Sequence, residues 1–566
     1  MASNIVIRLS QGLTVLADLP LYQLSLLSFT TAVTSHITYF CHSERDLIAK
    51  QIFLVAIFAP LAFQSLFQFH LKLPFWSCVQ LTSTIYGSFL LGMWSSMVVY
   101  RIWFHPLRNF PGPFWAKVTK LWIPYTHWRT NWQYHLVMLE LHKKYGDIVR
   151  IGPNDISINH ADGLQALAKA KKGTWYNFAD GEHSLQSTRN SKTHAIRRRV
   201  WDKAFTTKAV QDYLPRVLKY TDTLMAHISK NAGSPINVTD WFNNFMLDIM
   251  GDLAFGKPFN YMKPEKRVGA FDFGAVMHDS AYVISSLGQV SYSFTILSML
   301  GAGGDVQRFL DFCTDLVRER KTYTPKERDI FSYILDAEPQ NVGEHKLSLM
   351  GETRLIVVAA SDTTSATLVA IFALLGTHPH QLRKLRADID AIYDAYPDER
   401  VPKEIINGGT PATRHLEATI TEALRMSPAV ANGVQRMTPS DGIVVDGVSI
   451  PGGVNAIYCF RAAHMDERWF PDAQEFKPER WYEADKETLA RQRSAYAPFW
   501  LGSYECVGKP LANMQLRIVT SQLLRKFDIR LAEENVDVWK MLNRSKDLFT
   551  TMMAPTNVIF TPRGSS

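Results

Sequence analysis

Three stretches without a charged side chain stand near the start of the chain, and they limit what it can fold into. Residues 19–43, 51–71 and 73–100 contain no Asp, Glu, Lys or Arg over 25, 21 and 28 positions. A helix needs roughly 20 apolar residues to cross a bilayer, so each stretch is long enough. The second and third are rich in aliphatic and aromatic residues. The first carries Gln23, Thr30, Thr31, Ser35 and His36. Such runs clustered at one end predict two or three transmembrane helices in residues 1–104 rather than buried core helices. A cleaved signal peptide does not account for them, because the hydrophobic stretch begins late and is repeated.

The basic residues predict sidedness. Arg45 and Lys50 separate the first two runs, Lys72 alone separates the second and third, and Arg101, Arg108, Lys117 and Lys120 follow. Basic residues stay on the cytosolic side, so everything after Arg101 is expected in the cytosol. With three spans the N-terminus faces the lumen. The sequons at Asn237 and Asn543 are then chance matches, since glycosylation is lumenal.

Composition agrees with this division. Charged residues make up 20% of the 566, against a usual value of about 25%. Without residues 1–104 the fraction rises to 23% (106 of 462), ordinary for a soluble domain. Apolar residues at 46% exclude a disordered chain, and five Cys exclude a disulfide scaffold. Residues 105–566 are expected to form one large domain. The junction WFHPLRNFPGP carries Pro106, Pro111 and Pro113, which predicts a stiff non-helical elbow.

Most of the soluble part reads as helix, with short strands expected near 148–158 and 442–450, the latter ended by Pro451-Gly452-Gly453. The longest helix is predicted over 347–375, capped at Gly376 with Pro379 beyond. It is apolar nearly all round and therefore central. Asp362 in its middle argues against a fourth span.

Of the five cysteines, Cys41 and Cys78 lie in the apolar runs, and Cys313 and Cys459 have apolar neighbours. Cys506 differs. It sits in Phe499-Trp500-Leu501-Gly502-Ser503-Tyr504-Glu505-Cys506-Val507-Gly508, before a segment predicted to be an amphipathic helix. Unpaired amides at a helix N-terminus favour a thiolate. No CxxC and no neighbouring His supports zinc. The residues alone leave a structural thiol or a metal thiolate open.

This segment resembles the haem-binding loop of cytochrome P-450, F-x-x-G-x-R-x-C-x-G, at Phe499, Gly502, Cys506 and Gly508. Tyr504 stands where the family has an Arg that pairs with a haem propionate. Four further segments resemble family motifs, in the family's order. His194 and Arg198 correspond to W-x-x-x-R. Ala359-Ala360-Ser361-Asp362-Thr363-Thr364 is similar to A-G-x-D-T-T. Glu422 and Arg425 correspond to E-x-x-R, and Phe476–Trp481 is similar to F-x-P-E-R-W. The resemblance covers the chain from about Arg101 onward.

It implies a mainly α fold with small β-sheets, the cytochrome P-450 fold, behind an N-terminal membrane anchor. The cofactor would be haem b with Cys506 as axial ligand, a thiolate that favours O–O cleavage. Asp362 and Thr363 would be catalytic, delivering protons. His194, Arg198, Arg436, Phe499 and Tyr504 would bind the cofactor, and Glu422, Arg425 and Arg480 would form a buried network. Val358, Ala359, Val430, Val434 and Thr550 would line the substrate pocket, where small residues such as Ala429, Ala431 and Gly433 leave room for a bulky apolar ligand.

Only 60 residues follow Cys506 and no G-x-G-x-x-G precedes a helix, so electrons are expected from an NADPH–haemoprotein reductase on the same membrane. Arg197, Arg199 and Lys509 are candidates for its docking face. The implied activity is monooxygenation of a lipophilic small molecule at the endoplasmic reticulum membrane, in fungal secondary metabolism of terpenoids, polyketides or indole alkaloids. Rival readings are a reductase-independent haem-thiolate isomerase or dehydratase, a non-catalytic membrane haem sensor, and a multi-span transporter. The net charge of +8, of which +6 falls after residue 104, then serves propionates, reductase and lipid rather than nucleic acid.

Overall fold

The computed structural model describes residues 11–42, 44–179, 182–263, 265, 272–290, 292–301, 304–338 and 348–564. The charge-free runs fold as helices α1 (Leu21–Ser35), α2 (Ala49–Ser65) and α3 (Phe75–Val99), each prolonged by one wide turn, to Phe40, His70 and Phe104. Pro20 and Pro74 precede α1 and α3, where a missing amide costs no helical hydrogen bond. Most serine and threonine hydroxyls of the first run are satisfied within the helix. Thr30, Thr31, Thr34, Ser35 and Thr38 each donate to a carbonyl one turn back. Ser43, the end of that run, lies outside the described residues.

Helices α1 and α3 pack backbone to backbone. A Cβ at Gly92 would lie 2.6 Å from the Phe29 carbonyl oxygen, so only glycine permits this approach. Ser25 and Ser88 hydroxyls meet at 2.5 Å, and His36 Nδ1 lies 2.8 Å from Ser96 Oγ. Tyr86 of α3 donates to the Ala56 carbonyl of α2 at 2.8 Å.

The expected number of spans is trimmed. Among the described residues, Asp46–His70 is the one N-terminal helix both long and apolar enough to cross a membrane, and Gln11–Asp18 with Leu21–Phe40 qualifies only as a pair bent by 119°. The third run is helical throughout, but Gln80, Thr82, Ser83, Thr84 and Ser88 dilute it. Leu349–Thr377 is equally apolar, yet 67% of its apolar window is buried inside the domain, which makes it core.

The elbow is non-helical from His105 to the short helix Phe114–Val118. One buried side chain staples it. Arg150, fully buried, donates to the carbonyls of Arg101 at 3.0 Å, Leu107 at 3.3 Å and Pro153 at 2.7 Å. The loop between α1 and α2 also rests on the domain. Arg189 grips Glu44 with two bonds of 2.5 and 2.8 Å, and Asn177 donates to Asp46 at 2.8 Å.

In the domain, β1 (Ile148–Gly152) and β2 (Asp155–Ile158) occupy the expected strand region and begin a four-stranded sheet. The other strands are β3 (Gln435–Met437) and β4 (Asn455–Tyr458), in the order β1-β2-β4-β3, with β2 and β4 parallel and the other pairs antiparallel. The second expected strand region is a hairpin, Ile443–Val445 with Val448–Ile450. Around these lie α4 (Ser191–Ala204), α5 (Phe273–Leu287), α6 (Leu349–Thr377), α7 (Arg414–Met426) and α8 (Lys509–Lys526).

Helix α6 is the axis of the main core. Its 29 residues span about 43 Å, and every residue from Thr364 to Leu375 is buried. Its expected start, Leu347, lies outside the described residues, and Ser348 caps it by accepting from the Gly351 amide at 2.9 Å. Gly376 is not the cap. The helix runs through it to Thr377 and stops before Pro379 begins the next helix; a Cβ at Gly376 would lie 3.0 Å from the Leu531 side chain. Helix α8 departs from the amphipathic expectation as well: Met514–Leu524 is buried throughout, polar Gln515, Thr520 and Ser521 included, because helices cover it on several sides.

Both sequons are used structurally. Asn237 caps a helix by accepting from the Thr239 amide, and Asn543 accepts from Arg461 at 2.7 Å.

The Glu44–Arg189 pair makes a checkable demand. Glu44→Ala should release the α1–α2 loop and let a protease engage the backbone at Arg45 and at the already exposed Lys50. Limited trypsin digestion of the detergent-solubilised protein should then cut there several times faster than in wild type.

Candidate active site

The site is built on a buried ionic framework. Glu422 and Arg425, one turn apart on α7, are both fully buried. Arg425 binds Glu422 through two bonds of 2.9 and 2.8 Å. Arg480 adds a third at 2.8 Å, Trp481 Nε1 a fourth at 2.9 Å and the Lys477 amide a fifth at 3.2 Å. The guanidiniums also hold the chain between: Arg425 donates to the carbonyls of His464 and Ala473 at 2.7 and 2.8 Å, and Arg480 to Pro471 at 2.6 Å. Burial pushes the Glu422 carboxyl up, but the charges and hydrogen bonds of Arg425 and Arg480 outweigh it and hold the group below its ordinary value. The network joins the three residues that the sequence paired.

Cys506 follows in the next loop. Its amide donates to the Phe499 carbonyl at 2.8 Å, closing the loop on itself. Gly502 and Trp500 both have positive φ, +67° and +61°. Glycine adopts that conformation freely, whereas Trp500 stores strain, a mark of functional loops. Cys506 is an exposed residue, while desolvation of its thiol raises the pKa. The amides of Gly508 and Lys509 and the charge of Arg198 oppose that rise without cancelling it.

Cations gather beside this loop. His194 and Arg198 lie on α4, whose Asn190 cap accepts from two amides. The rings of His194 and Tyr504 pack at 4.5 Å. Arg198 donates to the Glu505 carbonyl and pairs with Asp202 at 2.6 Å. Arg436, buried on β3, stacks 4.6 Å over Trp500 and 4.9 Å over Tyr504. Burial, then Lys172, Arg198 and Arg436, push the His194 imidazole down to about 3, so it is a neutral donor at pH 7. Arg436 Nε and Trp500 Nε1 are buried without a hydrogen-bond partner among the described residues. Buried donors of this kind ordinarily have an acceptor, and these fit the carboxylates of a haem.

The distal elements also converge. Asp362 on α6 lies 3.3 Å from His278 Nε2 of α5 and 3.4 Å from Thr550 Oγ1. Thr363, its neighbour, donates back to the Ala359 carbonyl at 2.9 Å. Thr550 belongs to the hairpin of β5 (Lys546–Leu548) and β6 (Thr550–Met552). That hairpin is fastened to the segment holding Val430 and Val434: Thr551 amide to Ala429 carbonyl at 2.8 Å, Thr551 hydroxyl to Pro428 carbonyl at 2.7 Å. Val358 and Ala359 on α6 are partly buried. The three segments expected to line a pocket thus meet, and Phe549 adds a ring stacked on Trp175 at 4.6 Å.

One expectation is corrected. Arg197 is buried, bound to the His183 carbonyl and to Thr188 and 3.9 Å from Glu352, so it does not belong to a docking face. Arg199 is exposed, and Lys509 is engaged by Glu505 at 2.7 Å. His278, Lys172 and Glu352 were missed by sequence reasoning. A lone His, a surface-like KKG run and an acid near a helix start give no signal of burial.

Glu422→Gln leaves two buried guanidiniums without a counter-charge. The expected loss is about 3–5 kcal/mol, a large share of a typical domain's stability. Holoprotein recovered after expression, read by its haem absorbance, should fall to a small fraction of wild type. Because the folded pKa of Glu422 is lowered, its contribution is present above the ordinary 4.5 and lost as pH falls through the folded value.

The sequence model for cytochrome P-450 matches residues 110–560. The chain is 36% identical to cytochrome P-450 monooxygenase FCK2 of Fusarium pseudograminearum over 87% of this chain and 88% of that protein. It is 31% identical to cytochrome P-450 monooxygenase phqL of Penicillium fellutanum over 95% and 94%. It is 32% identical to tryprostatin B 6-hydroxylase of Aspergillus fumigatus over 80% of each. With the Cys506 loop, the Glu422 network and the polar step at Asp362 in their places, the chain belongs to the cytochrome P-450 family.

Proposed function

We propose that this chain is a membrane-anchored haem-thiolate monooxygenase acting on a lipophilic small molecule. The observation that carries the reading is Cys506: a free thiol in a strained loop, with helix amides at its sulfur and buried, unpartnered donors in Arg436 and Trp500. Cys506 would hold the iron of haem b, and His194, Arg198, Arg436 and Tyr504 would hold its edge. The haem, when bound, supplies oxygen activation and C–H oxidation.

The protein's own part is proton handling and exclusion of water. Asp362 Oδ1 accepts a hydrogen bond from His278 Nε2, and Oδ2 accepts one from the Thr550 hydroxyl. Thr363 spends its proton on Ala359, which leaves its oxygen lone pairs as acceptors inside the site. Burial pulls the His278 imidazole down, but the hydrogen bond and charge of Asp362, with Asp279 and Asp272 behind it, leave it raised above its ordinary 6.5. The charged pair is therefore complete below pH 6.5 and lost as pH rises through the raised value.

Electrons would come from an NADPH–haemoprotein reductase. The exposed Lys192, Arg199 and Lys203 of α4 are candidates for its docking face. The anchor would sit in the endoplasmic reticulum membrane with residues 105–566 in the cytosol. The contact of Glu44 and Asp46 with the domain supports this, since it holds the α1–α2 loop on the domain's side of the anchor. Relatives include a hydroxylase named for tryprostatin B, which favours a fungal secondary metabolite of indole-alkaloid, terpenoid or polyketide type.

The reduced carbon-monoxide difference spectrum tests the ligand: wild type should show the thiolate Soret band, and Cys506→Ala should lose it. Asp362→Asn and Thr363→Ala should keep the band. Each should lower product formed per NADPH by about tenfold or more. Wild-type turnover should decline as pH rises through the raised His278 value, and His278→Gln should remove that decline.

A further inference from the structure

The Cys506 loop lacks the family's arginine, having Tyr504 instead. We infer that Lys172 supplies the missing positive charge to a haem propionate, reaching it across the Tyr504 ring from a different part of the chain. This rests on the haem-thiolate reading above.

The backbone aims Lys172 at the site. It forms an isolated antiparallel bridge with Arg436, and the Met437 amide donates to the Lys171 carbonyl at 2.8 Å. Directly opposed residues in an antiparallel pair project to the same face. Lys172 and Arg436 do so: the ammonium lies 5.4 Å and the guanidinium 4.9 Å from the centre of the Tyr504 ring. Tyr176 bounds the other side of Lys172 at 5.6 Å.

The charge balance points the same way. Lys172 is 4% exposed, and its Nζ donates to the Leu185 carbonyl at 2.6 Å, which leaves two N–H bonds to place. Among the described residues no carboxylate lies within ion-pair distance of Lys172 or Arg436. The nearest acid influence is Glu352, whose Oε2 accepts from the Leu185 amide at 3.0 Å and Trp201 Nε1 at 3.1 Å and whose Oε1 lies 3.9 Å from Arg197 rather than at Lys172. A buried ammonium beside a buried guanidinium is unfavourable without an anion. Burial first, then Arg436 and the arginines of α4, accordingly depress the Lys172 pKa well below its ordinary value. A dicarboxylate cofactor edge removes that penalty, and Tyr504 contributes its ring face and hydroxyl, which lies 3.3 Å from Ser191 Oγ.

The test compares holoenzyme of wild type, Lys172→Met and Lys172→Arg. Haem transfer to excess apomyoglobin and the midpoint potential of the iron are measured on each. The expected result is that Lys172→Met loses haem about tenfold faster or more and has a lower potential, while Lys172→Arg stays near wild type in both. A Lys172→Met protein with unchanged haem loss and potential overturns the inference. So does faster haem loss in both variants at unchanged potential, the mark of a packing role for the stem. If Lys172→Met does not accumulate, Lys172→Gln carries the same comparison. A wild type lacking the thiolate band would instead remove the haem reading itself.

Discussion

Glu422 is surrounded by five donors and has no contact with water, and the Cys506 loop is placed by what those donors belong to. Arg480, Trp481 and the Lys477 amide come from the segment that leads into that loop. Arg425 and Arg480 extend the same grip to the carbonyls of residues 464–473. A lone buried carboxylate would cost several kcal/mol, and so would either guanidinium. Together they are tolerable in one geometry, so an irregular stretch without strands or long helices acquires a single path. The Cys506 loop inherits its position from that path.

The electrostatics of the site follow from burial acting on groups of opposite kinds. Desolvation raises Cys506 and lowers Lys172 and His194. The same low dielectric strengthens the remedies: helix amides and Arg198 for the thiol, an anionic cofactor edge for the cations. Asp362 on α6 is held by partners from two separate elements. His278 comes from α5 and Thr550 from the C-terminal hairpin. A single polar step in a buried helix thereby ties α5 to the C-terminal hairpin.

The anchor is joined to the domain by more than its elbow. Arg150 fastens the elbow from within β1, and the Glu44–Arg189 grip fastens the first interhelical loop. Arg189 also donates to the Lys172 carbonyl at 3.2 Å. The contact that orients the helices thus reaches the backbone of the residue assigned to the cofactor. Between helices and domain lies an apolar cavity of about 1300 Å³ whose lining includes Leu24, Phe63, Tyr100, Thr174 and Met437.

Local pattern was enough to place the apolar helices, the elbow, the long central helix, the strand regions near 148 and 442, and the Cys506 loop with its helix. Each rests on a property that neighbours in sequence share: absence of charge, proline spacing, periodicity or a loop with defined torsions. The resemblance to family motifs also singled out Glu422, Arg425, Arg480, Asp362, His194 and Arg198 as expected site residues. Sequence could not tell which basic residues are buried. Arg197 reads like Arg199, and Lys172 like Lys171, until the fold places one of each pair inside. Nor could it show that Tyr504 is answered by Lys172 or Asp362 by His278, because those pairs are far apart along the chain. Burial and charge pairing at long separation are properties of the packed chain. They decide which ordinary lysine or histidine becomes part of the site.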